Sequence, residues 1–181
     1  DKELIKILEI GSLFGAGTAS FLKYFNQSEI ITLDINPFNM KYYSKKIRPI
    51  FIDTQSKSII NDLVNYIKED FDIIIDDGSH NKREQILTLK YFLPKLKKEG
   101  IYVIEDTTQY LQIPELNHDK LDYGVNEFLE SIKKNGDHKS KYLNSIKKKN
   151  IQSNIKNIFF EKGNFFYKNQ SLPEIIFIEK I

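Results

Sequence analysis

Two carboxylate pairs and an imidazole are the groups in this chain best equipped for chemistry. Asp76-Asp77-Gly78-Ser79-His80 follows the apolar run Ile73-Ile74-Ile75, and Glu105-Asp106 follows Ile101-Tyr102-Val103-Ile104. Asp34 closes Ile30–Leu33 in the same way, and Asp53 closes Ile50–Ile52 beside Thr54-Gln55. Short apolar runs that stop at acids read as buried strands with polar ends, and ligands of open α/β sheets bind outside those ends. Carboxylates gathered in one crevice repel and resist desolvation unless a cation joins them. Oxygen ligands favour Mg2+ or Mn2+ over zinc and leave coordination positions open. His80 could then accept the proton of a hydroxyl near neutral pH, which makes an oxygen nucleophile.

Glu9-Ile10-Gly11-Ser12-Leu13-Phe14-Gly15-Ala16-Gly17-Thr18 places three glycines where a strand hands over to a helix. Backbone amides can approach a ligand there, and the helix start favours negative groups. Asp34 is placed to accept hydrogen bonds from the two hydroxyls of a ribose, and Asp53 with Gln55 to meet the base. A nicotinamide dinucleotide loop would need a third glycine where Ser20 stands.

The positioning elements alternate strand and helix. Leu4–Ile10, Ile30–Leu33, Ile50–Ile52, Phe71–Asp76 and Ile101–Ile104 read as strands. Helices are expected over the stretch holding Phe21, Leu22 and Phe25, over Phe38–Lys46, over Ile59, Leu63, Val64 and Ile67, and from Asn81 toward Gly100. Asn81 with Glu84 has the spacing of a capping box. Five such strands give a parallel sheet with helices on both faces. Residues 107–150 are polar, with amphipathic helices around Val125–Ile132 and Tyr142–Lys149, and read as a lid-like insertion in which His118 and His138 are solvated. Tyr110 is placed either to stack on a sugar or to anchor that insertion. Ile155–Phe160, Phe165–Tyr167 and Ile175–Ile178 are β-rich, divided at Gly163-Asn164 and Ser171–Pro173, and predict an antiparallel closing hairpin.

The 181 residues, 40% hydrophobic, suit one domain. A net charge of +2 from 27 basic and 25 acidic residues points to neither nucleic acid nor a membrane surface, and the lysines around Lys95–Lys98 and Lys147–Lys149 read as solvated faces. The absence of cysteine excludes disulfides, thiolate zinc sites and a cysteine nucleophile. No apolar run approaches the ~20 residues of a membrane span, so a cytoplasmic domain is expected. A start at Asp1 that enters a strand almost at once suggests that an N-terminal region of a larger protein is missing.

Glu9-x-Gly11-x-x-x-Gly15-x-Gly17 resembles the first motif of class I S-adenosylmethionine-dependent methyltransferases. From Glu9 to about Tyr110, Phe71–His80, Phe92-Leu93-Pro94-Lys95-Leu96 and Gly100–Asp106 resemble the metal-dependent sugar O-methyltransferases of macrolide biosynthesis, the mycinamicin and macrocin type. That resemblance implies a Rossmann-like seven-stranded, mostly parallel sheet. It also implies S-adenosylmethionine and Mg2+ (or Mn2+) as cofactors and a sugar-containing small molecule as acceptor. Asp77 and Asp106 would be metal ligands, Glu105 a further ligand or supporting acid, and His80 the general base. Glu9, Gly11, Gly15, Gly17, Asp34, Asp53 and Gln55 fall on the cofactor side, where Asp76 would support the loop. A homo-oligomer is compatible with this reading. Two other functions use parts of the same pattern: an NAD-dependent sugar-modifying enzyme, and a non-catalytic methyltransferase-like module that binds a partner through residues 107–150.

Overall fold

A computed structural model of the chain describes residues 3–111, 113–117, 123–136, 140, 142–167 and 170–181. In chain order the elements are β1 (Ile5–Ile10), α1 (Ala16–Tyr24), β2 (Ser28–Asp34), β3 (Ile47–Phe51), α2 (Lys57–Tyr66) and β4 (Phe71–Asp76). They continue with α3 (Lys82–Phe92), β5 (Leu96–Ile104), α4 (Val125–Lys133), α5 (Ser145–Ser153), β6 (Ile155–Tyr167) and β7 (Gln170–Lys180). The strands form one seven-stranded sheet in the order β3-β2-β1-β4-β5-β7-β6. All neighbours from β3 to β5 pair parallel, and β7 runs antiparallel to both β5 and β6. The expected α/β architecture is therefore present.

The strand sequences explain the layering. On β1, β2 and β4 the side chains of both faces are mostly buried, as suits central strands of a parallel sheet. Leu8, Ile10, Leu33, Ile74, Tyr102 and Ile104 face the larger core, which α2, α3, α4 and α5 cover through residues such as Ile60, Leu89, Phe128 and Ile151. Ile7, Ile30 and Ile75 face the other side and meet Phe21 and Leu22 of α1 and Phe25 at its C-terminal cap.

Three local expectations are corrected. Phe38–Lys46 contains no α-helix, only a 3-10 turn at Pro37–Asn39. A helix is stabilised by a buried stripe, and here Phe38 and Tyr43 are 93% and 86% exposed while Met40 alone is buried. Phe165–Tyr167 is not a separate strand but the end of β6, which passes through Gly163-Asn164 with irregular register between Glu161 and Phe166. A glycine inside a strand is accommodated by such irregularity. Glu84 closes no capping box. Asn81 caps α3 by accepting from the Arg83 amide at 2.9 Å, while Glu84 accepts from the Thr54 hydroxyl at 2.5 Å.

Part of the stretch expected to form a lid belongs to the core. Val125, Phe128, Leu129 and Ile132 of α4 are buried in the larger cluster, as is Ile151 of α5. His118 and His138 lie outside the described residues.

Candidate active site

The strand order turns outward in both directions between β1 and β4, and the register levels their ends. Ile10 pairs with Leu33 on one side and with Asp76 on the other, and Asp76 pairs with Ile104. Gly11, Asp34, Asp77 and Glu105 thus emerge along one edge of the sheet. An open cavity of about 400 Å3 lies there, lined by Gly11 and Leu13, by Asp34 and Ile35, by Ile52 to Gln55, and by Asp77 to His80 with Glu84.

Asp34 is held in place by the loop it faces. Its carboxylate, at the cavity wall, accepts from the Leu13 amide at 2.8 Å and from the Asn36 amide at 2.8 Å and keeps lone pairs for further donors. Asp53 accepts from the Gln55 amide at 2.9 Å, and Arg83 donates to the Gln55 carbonyl at 3.2 Å, so this second acidic corner is ordered as well.

The loop glycines have separate jobs. Gly11, at φ 87°, lines the cavity, and a Cβ there would lie 2.0 Å from the Asp77 carbonyl oxygen. Gly15, at φ 83°, precedes α1 and leaves room for the Met40 sulfur, which a Cβ would meet at 2.0 Å. Gly17 admits Glu9, whose Oε1 would stand 2.6 Å from a Cβ. The amides of Gly11, Leu13 and Gly15 are already bonded within the protein, to Leu33, Asp34 and Ser12. These three amides therefore support the loop rather than wait for a ligand.

Two acids expected on the cofactor side do not reach the cavity. Glu9 is buried and accepts from the Thr18 hydroxyl. Burial, above all, raises its carboxyl to about 7, with Asp77, Glu105 and Asp34 adding to the rise and Thr18 opposing it. Asp76 is buried too, and its carboxylate accepts from the Thr88 hydroxyl of α3. Desolvation raises it to about 7 against the pull of the Thr88 bond. Its side chain lies on the core face of β4, because successive strand residues point to opposite faces.

Asp77, His80 and Asp106 converge. One ligand atom from each lies within 4.8 Å of the others. His80 Nε2 is 3.8 Å from an Asp106 carboxylate oxygen and 4.0 Å from one of Asp77. Burial, reinforced by Asp106, raises the Asp77 carboxyl to about 6. Burial lowers the His80 imidazole, while the Asp106 and Glu105 carboxylates and the Glu105 main chain pull it back up. Its Nδ1 is buried without a partner of hydrogen-bonding geometry. Such a group, rich in oxygen and unsettled while its charges face one another, fits a divalent cation. Glu105 is not one of the three. Its carboxyl is half-buried and raised by burial first, then by Asp77 and Asp106, and its carbonyl accepts from Gln85 Nε2 at 3.0 Å. The group thus joins His80, expected as the general base, to Asp77 and Asp106, and Glu105, expected as a further ligand or supporting acid, stands next to it.

His80 and Asp106 share a second property. Their φ values are 55° and 50°, in the left-handed region that residues with a Cβ rarely occupy. Each such residue costs about 1–3 kcal/mol and persists where surrounding structure holds it, which happens most often at functional sites. Sequence reasoning did not foresee the walls Leu13, Ile35 and Ile52, although apolar residues flanking strand-terminal acids are the signal for them.

Residues 8–107 match the family model described as a methyltransferase domain. This chain belongs to that family. The methyltransferase domain is 26% identical over 92 residues to 8-demethyl-8-alpha-L-rhamnosyl tetracenomycin-C 2'-O-methyltransferase of Streptomyces olivaceus, a match covering 51% of this chain and 24% of that protein. It also resembles MycE, the methyltransferase from the mycinamycin biosynthetic pathway, solved with Mg and SAH. There the TM-score is 0.69 at 22% identity, covering 98% of this chain and 45% of that one. MycE has been solved with Mg, SAH and mycinamycin VI as well, and the match is equally good, with a TM-score of 0.69 and 21% identity. The CurJ carbon methyltransferase follows, with a TM-score of 0.55 at 19% identity over 98% of this chain and 48% of that one. The methyltransferase domain thus spans less than half the length of these relatives, and the structural likenesses establish its fold.

Proposed function

We propose that the chain is the catalytic domain of an S-adenosylmethionine-dependent O-methyltransferase that uses Mg2+ or Mn2+ and acts on a sugar hydroxyl of a glycosylated small molecule. The observation that carries this reading is the meeting of Asp77, His80 and Asp106 beside a cavity cornered by Asp34 and Asp53. The tetracenomycin relative is named for 2'-O-methylation of a rhamnosyl compound, and MycE was solved with Mg, SAH and mycinamycin VI.

Asp34 would accept hydrogen bonds from the ribose hydroxyls, and Leu33, Ile35 and Ile52 would offer apolar walls to the adenine, with Asp53 and Gln55 at its edge. Asp77 and Asp106, with Glu105 beside them, would hold the cation, and His80 would stand next to it as the base. Bound together, the cofactor supplies an electrophilic methyl group and the cation makes the acceptor hydroxyl more acidic. His80 would take the hydroxyl proton as the acceptor oxygen bonds to the methyl carbon and the methyl carbon–sulfur bond breaks, with S-adenosylhomocysteine as the leaving group. Burial lowers the imidazole, which favours the neutral form that can accept.

Calorimetric titration with S-adenosylmethionine, with and without Mg2+, tests the proposal. Binding of the cofactor, followed by methylation of a glycosylated acceptor that ceases on chelation, is expected. A folded protein that gives no binding heat with the cofactor overturns it.

A further inference from the structure

Lys82, Tyr110 and Glu127 meet behind the acid–imidazole cluster. Lys82, in the first turn of α3, is 6% exposed, and its ammonium lies 4.1 Å from the centroid of the Tyr110 ring. The buried Tyr110 hydroxyl donates to Glu127 Oε1 at 3.1 Å. The other oxygen of Glu127 accepts from the Gly124 amide at 2.8 Å, at the start of α4. A Cβ at Gly124 would lie within 3.2–3.4 Å of Glu127, Lys82 and Tyr110 together. These groups converge on one point, and the order cation, ring, hydroxyl, carboxylate is cooperative. A phenol that donates to an anion has a more electron-rich ring, which holds a cation more strongly.

The place of this cluster in the chain gives it a purpose. Lys82 follows His80 by two residues, across the Asn81 cap. Tyr110 sits in the 3-10 turn that begins beyond Asp106, where the Gln109 amide donates to the Asp106 carbonyl at 3.1 Å and Gln109 Nε2 to the Asp106 carboxylate at 3.2 Å. The Lys82–Tyr110 contact therefore ties together the two segments whose left-handed residues, His80 and Asp106, face each other at 3.8 Å. We infer that Lys82, Tyr110 and Glu127 are positioning residues, a brace that fixes the His80–Asp106 separation and so tunes the affinity of the site for its divalent cation. The inference rests on the metal-assisted reading proposed above.

Mn2+ titration followed by electron paramagnetic resonance tests it, with SAH titrated in parallel. Lys82→Met is expected to weaken Mn2+ binding about tenfold or more, in the range seen when a partner of a metal ligand is removed. Lys82→Arg, which keeps a cation over the ring, is expected to restore it. SAH affinity should stay unchanged, because neither Lys82 nor Tyr110 lines the cavity. In metal-free protein, amides 106–111 should exchange faster in Lys82→Met. If that variant fails to fold, Tyr110→Phe carries the test, since it keeps the ring and removes only the bond to Glu127; a several-fold weaker Mn2+ affinity is expected. Wild-type protein that binds no Mn2+ overturns the metal reading itself. Wild-type binding matched by every folded variant overturns the brace alone.

Discussion

Gly11 and Asp77 touch backbone to backbone. The Asp77 amide donates to the carbonyl of Ile10 at 2.9 Å, and no atom fits between the Gly11 Cα and the Asp77 carbonyl. The loop beside the cavity and the strand end bearing a proposed metal ligand are thus one mechanical unit. Gly11→Ala must displace β4 or the loop and also strains a φ of 87°. Destabilisation of about 3 kcal/mol or more and loss of S-adenosylmethionine binding are expected, read by urea unfolding and calorimetry. A variant as stable as the parent would show that the contact yields freely.

Asp34→Ala should weaken cofactor binding about tenfold or more, since charged hydrogen bonds contribute about 1.5–3 kcal/mol each. Mn2+ affinity should not change, because Asp34 stands apart from the cluster at Asp77. Parallel titrations of the two ligands separate these effects.

Asp77→Asn should abolish Mn2+ binding and yet raise the thermal midpoint of the metal-free protein at pH 8. Its carboxyl is raised by burial and by Asp106, so ionising it costs stability when no cation is present. A midpoint that falls in the metal-free variant would count against the cluster as a store of unrelieved charge.

The metal-free protein should also lose stability as pH rises. Glu9 and Asp76 are both raised to about 7, from ordinary values of 4.5 and 3.8. A raised carboxyl contributes stability that is complete below its unfolded pKa and is lost as pH climbs through the folded one. The unfolding free energy from urea titration should therefore fall between pH 5 and pH 8 by an amount on the order of a few kcal/mol, and Glu9→Gln should flatten the slope. A midpoint that climbs over that range would contradict the burial argument.

His80→Ala should reduce turnover of a glycosylated acceptor by about 10²–10⁴, the usual range for a general base. Unchanged turnover would remove His80 from the chemistry. If turnover were lost and cellular function nevertheless survived, a binding module would be the better description.

The alternation of isoleucine-rich runs with amphipathic stretches made the parallel sheet legible, because burial on both faces demands that composition. The acids at the strand ends were equally plain, since parallel strands deliver their C-termini to one edge. Tertiary neighbours were less accessible to a local pattern. Whether Glu84 would close its own helix start or reach Thr54 depends on a contact between α3 and the turn after β3. That Glu9 and Asp76 would turn inward depended on Thr18 and Thr88, which no spacing rule connects to them. The left-handed backbone at His80 and Asp106 was not legible either, because it is a minority conformation even for Asp and His and is set by surrounding structure. The core packing of α4 was masked by its polar flanks, although the spacing of Val125, Phe128, Leu129 and Ile132 carried the signal.

The sheet order has a consequence for how the protein comes off the ribosome. β7 follows β5 and β6 in the chain, yet it lies between them and, among the described residues, joins them within the sheet. Until β7 is synthesised, β5 and β6 lack the strand that pairs with both of them among the described residues, and β5 leads into the segment that carries Glu105 and Asp106. The acid-bearing edge is therefore completed late, and a chain stalled before Gln170 would expose strand edges prone to pairing with other chains.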